Sequence, residues 1–227
     1  MANTSGQVLE SVRSLIHTRR TEKVLASHKS SPALAQPRLK AYESVIQQSL
    51  LDSGMAPFHY DRRIDGIAEP WRAHALMQPA ARSLASFLTD SMGVTSKEPL
   101  LLGACAALAL ITWLPESDDH TEDHDLSAVK RRRRDEEHLA ATGAMVQNFL
   151  LLLTAEGLGT YWSSGGVLGE SDVFGHLGIS PRERLIAAIF IAAPEQADLP
   201  ATRKPGAHRD KRSDRWIRWC SDPSTLV

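Results

Sequence analysis

A basic cluster close to the N-terminus has the residue types that bind phosphate. It follows an amphipathic helix, predicted from apolar residues at helical spacing between Val8 and Ile16. Guanidinium groups bind phosphate oxygens through paired hydrogen bonds, and a hydroxyl group can add another. Alternatively, these cations only stabilise the C-terminus of the helix against its dipole. The basic cluster consists of Arg19, Arg20, Thr21 and Lys23.

A second candidate is a glycine-rich segment that follows a long apolar helix. Small residues allow a flat ligand to approach the backbone closely, and exposed amides there can donate hydrogen bonds to its heteroatoms. Taken by itself, the segment is more typical of an ordinary tight turn. It comprises Tyr161, Trp162, Ser163, Ser164, Gly165 and Gly166.

Three further groups have weaker signals. Arg203 and Lys204 near the C-terminus could close on the same anion as the basic cluster, although such a pair is usually solvated surface. His120 and His124 could share a metal ion if they were helical, but their acidic surroundings are typical of a disordered loop. The basic run at 130–134 adjoins three acidic residues, which argues against a nucleic-acid site. We therefore predict neither a metal site nor a nucleic-acid partner.

These residues belong to a chain of 227 residues with 42% hydrophobic residues and a formal net charge of −1. The length suits one domain over 1–227, and the near-zero charge argues against a general nucleic-acid binder. Cys105 and Cys220 form neither a disulfide framework nor a metal cage, and the N-terminus lacks the pattern of a secretory signal. The longest apolar run, 100–114, is shorter than the roughly 20 residues that span a bilayer. We therefore expect a cytoplasmic protein without a membrane segment.

Hydrophobic periodicity predicts helices mixed with buried strands, and without a regular βαβ repeat this combination indicates an α+β fold. The segment 55–76 is expected to be a loop, and the charged blocks at about 116–134 a solvated surface loop. A tail begins at about 195, and its Trp216 and Trp219 are expected to pack on their own domain or on a partner subunit. The predicted helices cover 8–16, 39–53, 79–92, 135–156 and 171–177, and the predicted strands lie at 108–114, after 157 and at 185–193.

Together these features resemble the FMN-dependent nitroreductase family, and are closest to its short single-domain members. The basic cluster is similar to the family's phosphate-binding Arg-Arg-Ser-x-Arg/Lys motif. Met55-Ala56-Pro57 and Glu69-Pro70-Trp71-Arg72 are similar to its Ala-Pro-Ser and Gln-Pro-Trp loop. The most specific likeness covers 141–165, which resembles the family's central helix, Gly-Leu-Gly strand and flavin-contacting turn. The resemblance extends over about residues 8–206.

The resemblance implies a nitroreductase-like fold, with a mixed, mainly antiparallel sheet flanked by helices, and a homodimer with FMN at its interface. It implies an enzyme without a catalytic side chain, because the flavin takes hydride from NAD(P)H and passes it to a small-molecule acceptor by a ping-pong reaction. Nitroaromatics, quinones and related electron-poor compounds are the expected acceptors. The implied cofactor-binding residues are Arg19, Arg20, Thr21, Lys23, Pro70, Trp71, Trp162, Ser163, Ser164, Gly165, Arg203 and Lys204.

Two alternatives stay open within this resemblance. A flavin enzyme of the same fold could perform different chemistry, such as dehydrogenation or reductive dehalogenation. Ile67 stands where family members have a polar residue, often Asn, and Glu69 stands where they have Gln. A flavin contact is usually made there, so the chain could also be a non-catalytic flavin-binding module.

Overall fold

The computed structural model describes residues 5–27, 29, 31–116, 127–196, 202–204 and 212–217, with 202–204 described by their backbone. Helices account for much of this part of the chain, and the fifth helix is the longest of them. Its 28 residues correspond to about 42 Å at 1.5 Å per residue. The α-helices are α1 (Ser5–Thr18), α2 (Gln36–Ser53), α3 (Gln78–Ser86), α4 (Glu98–Ala104), α5 (Ala128–Ala155) and α6 (Ser171–Leu177).

The strands form one four-stranded antiparallel sheet and one short two-stranded sheet. The larger sheet has the order β2-β3-β5-β4, with β2 at Trp71–Met77, β3 at Ala107–Trp113, β4 at Gly159–Ser163 and β5 at Arg184–Ala192. The smaller sheet pairs β1 (Lys23–Leu25) antiparallel with β6 (Thr202–Lys204). In the described residues, the one parallel pairing is an isolated bridge between Thr21 and Thr160. The predicted α+β class and mainly antiparallel sheet are confirmed.

Helices cover both faces of the larger sheet. On one face, α2 and α5 pack their buried side chains, including Ile46 and Phe149, against alternate residues of β3 and β5. On the other face, α3, α4 and α6 pack against the remaining residues, such as Leu108 and Phe190. The central strands are therefore buried on both faces, which explains why their sequences are continuously apolar rather than alternating.

The second half of α5 lies in the core, as its apolar sequence predicts. Phe149, Leu150 and Leu153 are almost completely buried there. By length and composition alone, α5 is the one helix among the described residues that could cross a membrane. Its contacts with the sheet account for the same apolar sequence, because a buried core helix has this composition as well.

The basic block is helical, so the loop predicted over 116–134 is wrong for its last residues. Helix α5 begins at Ala128 rather than at Asp135, and Lys130 and its neighbours form its first turns. The Ser127 hydroxyl caps this helix by accepting a hydrogen bond from the Lys130 backbone N–H at 3.4 Å. His120 and His124, with the rest of 117–126, lie outside the described residues.

The first acidic residue of the charged block is buried rather than solvated. Glu116 Oε1 lies 2.9 Å from His138 Nε2, and its Oε2 lies 3.5 Å from Arg134 Nη1. The Glu116 backbone N–H donates to Asp135 Oδ1 at 2.6 Å, and the Arg134 guanidinium lies 4.5 Å from the ring centroid of Tyr60. This Glu116 cluster therefore joins the end of β3 to the first turns of α5.

The predicted loop over 55–76 is also partly wrong, because its last residues form β2. One face of β2 carries Trp71, Ala73, Ala75 and Met77. This face lies on the side of the sheet that α2 and α5 cover. The opposite face presents Arg72 and His74, so apolar and polar residues do alternate over 71–75 as expected of a half-buried strand, but this short run directly follows a segment rich in proline and charge.

A second buried carboxylate explains why β2 tolerates these polar residues. Glu183, at the start of β5, is 7% exposed, and its Oε2 lies 2.6 Å from His74 Nε2. The Thr112 hydroxyl donates to the same oxygen. Burial raises the pKa of Glu183, but the hydrogen bonds from His74 and Thr112 outweigh it and hold this pKa below its ordinary value. This Glu183 cluster links three neighbouring strands at one end of the sheet.

The tryptophans of the C-terminal tail were expected to pack either on their own domain or on a partner subunit. Trp216 is 80% exposed, so it does not pack against the part of its own domain that the structure describes. Trp219 lies outside the described residues.

Candidate functional site

Backbone pairing brings three of the predicted site segments together. The Glu22 N–H donates to the Thr160 carbonyl at 2.8 Å, which places the basic cluster beside the start of β4. In the smaller sheet, Lys23 lies opposite Lys204, and Arg203 occupies the neighbouring register position. The basic cluster, the Arg203-Lys204 pair and the strand leading into the glycine-rich turn therefore form one region of the fold.

Two cations of this region, Arg20 and Lys23, have no acidic partner among the described residues. Arg20 is exposed and Lys23 is half-buried, and within the described part of the chain neither forms a salt bridge. The Lys23 ammonium lies 5.5 Å from the ring centroid of Tyr161, a cation–π distance. Arg19 and Thr21 are half-buried at the end of α1. Because Arg20 and Lys23 form no salt bridge in the described part of the chain, they are available to an anionic ligand.

Lys97 is not among the residues that the sequence predicts for the site, yet the fold adds it to this region. Its Nζ lies 3.5 Å from the Tyr161 hydroxyl and 6.0 Å from the centroid of the same ring. Lys97 directly precedes α4, far from the basic cluster in sequence, so only the tertiary structure reveals the contact. We call Arg20, Lys23 and Lys97 the cation cluster.

The glycine-rich turn after β4 is shaped by positive φ angles and close packing. Gly165 has φ +100°, and a Cβ atom built there would lie 2.2 Å from Leu185 Cδ2. Gly166 has φ +56°, and its Cβ would lie 2.9 Å from Oε1 of the buried Glu98. Glycine is therefore required at both positions, and this confirms the turn itself.

Hydrogen-bond donors of this turn differ in availability. The Gly165 N–H already donates to the Ser163 hydroxyl at 3.2 Å. Ser164 is exposed, and its N–H makes no hydrogen bond to any residue that the structure describes. Trp162 is 38% exposed and donates through Nε1 to the Ile186 carbonyl at 3.4 Å. Of the Ser164 and Gly165 amides, the Ser164 amide is therefore the more open to a ligand.

Pro70 and Trp71 are not brought next to the glycine-rich turn within one chain. Trp71 is 7% exposed and packs edge-on against Phe58, with ring centroids 5.5 Å apart. Strands β3 and β5 lie between β2 and the strand that carries the turn. Since neighbouring strands are about 4.8 Å apart, this separation is about 14 Å.

Arg72 holds the loop that precedes β2. Its guanidinium donates to the carbonyls of Ile64 at 3.0 Å and Glu69 at 2.9 Å. Burial lowers the pKa of Arg72, and the charge of Glu183 opposes this shift. Arg72 belongs to the Glu-Pro-Trp-Arg motif of the family resemblance. Its observed hydrogen bonds stabilise the loop before β2.

The sequence model of the Nitroreductase family matches residues 43–192, more than half of the 227 residues. The chain belongs to the nitroreductase family. The predicted family, the enzyme class of FMN-dependent oxidoreductase, and the cofactors FMN and NAD(P)H are thereby confirmed. The matched range excludes the basic cluster and the Arg203-Lys204 pair, so the ligand contacts of this nitroreductase are matters of proposal.

Known proteins similar to this nitroreductase agree with the fold. "Putative NAD(P)H nitroreductase YfhC" of Bacillus subtilis (strain 168) is 25% identical over 178 residues, which is 74% of this chain and 81% of that protein. A nitroreductase-like family protein from Bacillus cereus has a TM-score of 0.56 at 19% identity, covering 94% of this chain and 97% of that one. A nitroreductase from Desulfovibrio desulfuricans in complex with FMN has a TM-score of 0.50 at 19% identity, covering 81% and 86%.

Proposed function

We propose that this nitroreductase reduces nitroaromatics, quinones or related electron-poor small molecules with electrons from NAD(P)H, by a ping-pong reaction on FMN. The observation that carries the proposal is that cations and the glycine-rich turn lie together at the β4 edge of the sheet. Arg20 and Lys23, which form no salt bridge with any described residue, lie beside the strand that leads into an exposed glycine-rich turn. The first suits the phosphate of FMN, and the second suits its flat ring.

At the phosphate end, the residues present fit the group. Arg19, Arg20, Thr21 and Lys23 would hold the phosphate and ribityl chain, with Arg203 and Lys204 joining through the backbone pairing of β6 with β1. Beside Thr21, the buried Thr160 hydroxyl has no hydrogen-bond partner among the described residues, so it could accept or donate a hydrogen bond to a bound ligand.

At the ring end, Trp162, Ser163, Ser164 and Gly165 would line one edge of the flavin. Ser164 is exposed, and its N–H would supply a donor that stabilises the negative charge developing on the flavin during reduction. Pro70 and Trp71 would border this pocket only where a second subunit brings β2 close to the turn, because the two are about 14 Å apart within one chain. When bound, FMN itself accepts and donates the hydride, so no side chain needs to act as a nucleophile.

We further propose that the protein is a homodimer. Helix α1 buries none of its residues, and its apolar stripe is about half exposed, with Val12 at 47% and Leu9 at 49%. Within the described residues α1 contacts α5, yet this contact leaves the apolar stripe half exposed, and an exposed apolar helix face is typical of an interface. Because α1 leads directly into the basic cluster, a partner packed on this face would lie next to the phosphate site.

A cytoplasmic location is part of the same proposal, because NAD(P)H is a cytoplasmic electron donor. Cys105 is a free, buried thiol, and burial raises its pKa to about 12, so it is chemically inert. An unpaired cysteine of this kind is compatible with a reducing compartment.

Initial rates test the proposed reaction. The FMN-loaded protein is supplied with NADH or NADPH and with a nitroaromatic or a quinone over a grid of concentrations. Parallel double-reciprocal lines are expected, because the two substrates react in separate half-reactions. Reduction of the flavin without transfer to either acceptor would favour a dehydrogenase or dehalogenase. Bound FMN that NAD(P)H does not reduce would favour a non-catalytic flavin-binding module.

A further inference from the structure

The segment that carries Lys97 connects the two ends of the candidate site. The Ala26 N–H donates to the Leu100 carbonyl at 3.1 Å, so the start of α4 runs alongside β1. The next residue, Glu98, packs beneath the glycine-rich turn, with Oε1 within 2.9 Å of the Cβ position at Gly166. Lys97 therefore lies between the basic cluster and the turn.

Two ammonium groups converge on one aromatic ring there. Lys23 Nζ lies 5.5 Å and Lys97 Nζ 6.0 Å from the centroid of Tyr161, and the Lys97 ammonium also approaches its hydroxyl. The ring is held by stacking on Phe190, with centroids 6.0 Å apart. In the described part of the chain neither lysine has a carboxylate partner. Like charges gathered without a counterion repel each other, and a bound anion would remove that repulsion.

We propose that Lys97, together with Lys23 and the Tyr161 hydroxyl, forms a subsite for a phosphate monoester. This inference rests on the proposed function. Two ammonium groups and a hydroxyl supply several donors to a dianion, which binds best through charge-assisted hydrogen bonds. The 5′-phosphate of FMN is the favoured source, because Lys23 belongs to the basic cluster. The 2′-phosphate of NADPH has the same chemistry.

Titration of the apoprotein with FMN and with riboflavin tests the subsite, because riboflavin lacks the phosphate. In Lys97→Gln, which keeps a polar stem without the charge, the Kd for FMN is expected to rise about tenfold, the order of one charge-assisted hydrogen bond. The Kd for riboflavin is expected to stay the same. Lys97→Arg should restore most of the FMN affinity. Lys40→Gln, at an exposed lysine of α2, is the matched control.

A second arm separates the two phosphate sources. The ratio of kcat/KM for NADPH to that for NADH is measured on the FMN-loaded variants. If the subsite holds the FMN phosphate, this ratio keeps its wild-type value while FMN binding weakens. If it holds the NADPH phosphate, the ratio falls about tenfold while FMN binding is unchanged.

The inference is overturned if Lys97→Gln weakens FMN and riboflavin equally, because the lysine then faces the ring. It is overturned as well if neither FMN binding nor the nucleotide ratio changes, and in that case the proposed function stands. A wild-type protein that binds no FMN would contradict the proposed function itself. Thermal unfolding of each apoprotein variant shows whether the substitution leaves the fold intact.

Discussion

Charged residues of this nitroreductase fall into two contrasting regions. In the Glu116 and Glu183 clusters, a buried carboxylate has a histidine and a further donor within hydrogen-bonding distance. In the cation cluster, Arg20, Lys23 and Lys97 are exposed or half-buried and have no acidic partner among the described residues. The first region therefore serves the fold, and the second is available to a ligand.

The physical cost of charge explains this difference. A buried carboxylate is tolerated only when hydrogen bonds and opposite charge compensate its lost hydration. An exposed cation stays hydrated and needs no partner, so it can be kept for binding an anion. The two regions should consequently respond to mutation in opposite ways, one through stability and the other through ligand affinity.

The largest effect is expected where a buried pair is broken. Glu116→Ala leaves His138 and Arg134 without their acceptor, and should lower the free energy of unfolding by about 3–5 kcal/mol. Urea unfolding of the apoprotein measures this loss. Glu137→Ala, at an exposed residue of the same helix, is the control and should change little. A loss below about 1 kcal/mol for Glu116→Ala would place this cluster with ordinary surface pairs.

Replacing Arg20 of the cation cluster together with the adjacent Arg19 should weaken FMN binding without changing stability. Arg19→Ala combined with Arg20→Ala should raise the Kd for FMN by about 10² or more, since charge-assisted hydrogen bonds contribute about 1.5–3 kcal/mol each. The unfolding of the apoprotein should hardly change. The matched control replaces Arg132 and Arg133, an exposed adjacent pair on α5, with alanine. Stoichiometric FMN retained by the first double variant would mean that the phosphate lies elsewhere.

The Glu183 cluster should make stability depend on pH. Because the pKa of Glu183 is lower in the folded protein than its ordinary value of 4.5, its stabilising effect is present above that pH. This effect is lost as the pH falls below 4.5 and the folded carboxylate becomes protonated. Glu183→Gln should therefore show a shallower fall of unfolding free energy in this acidic range. An identical pH slope in the variant and the wild type would contradict the assignment.

The smallest effect is expected for a pair that is exposed. Arg13 and Glu10 lie 2.9 Å apart on α1, with both side chains mostly in solvent. Arg13→Ala should alter the free energy of unfolding by about 0.5 kcal/mol or less. Urea unfolding checks this value, and a loss comparable to that of Glu116→Ala would show that pairing alone, without burial, decides stability.

Much of the fold follows from the sequence because the strongest patterns are local. The apolar runs of β3 and β5 indicate strands buried on both faces, and α6 lies at 171–177 as predicted. β2 was missed because its alternating run over 71–75 is short and follows a segment rich in proline and charge, and because the partner of His74 is Glu183, distant in sequence. The start of α5 was displaced because Ser127 caps a turn rich in arginine, which the charge pattern assigned to a loop.

The sequence predicted the separate segments of the candidate site but not how the fold brings them together. The basic cluster and the glycine-rich turn are compact motifs, so their residue types alone indicated a phosphate and a flat ligand. Their proximity depends on the Glu22–Thr160 hydrogen bond and on the pairing of β1 with β6, which join segments far apart in sequence. Lys97 has no local motif at all, and only the packing of α4 beside β1 places it near Tyr161.

Reconstitution with FMN tests the central claim most directly. The purified protein is incubated with excess FMN, desalted and examined by absorption, and NADH or NADPH is then added without oxygen. The account predicts about one FMN per chain, with flavin bands that bleach when the nucleotide is added. A colourless protein after desalting would contradict the account, because the unpaired cations and the glycine-rich turn would then serve some other ligand.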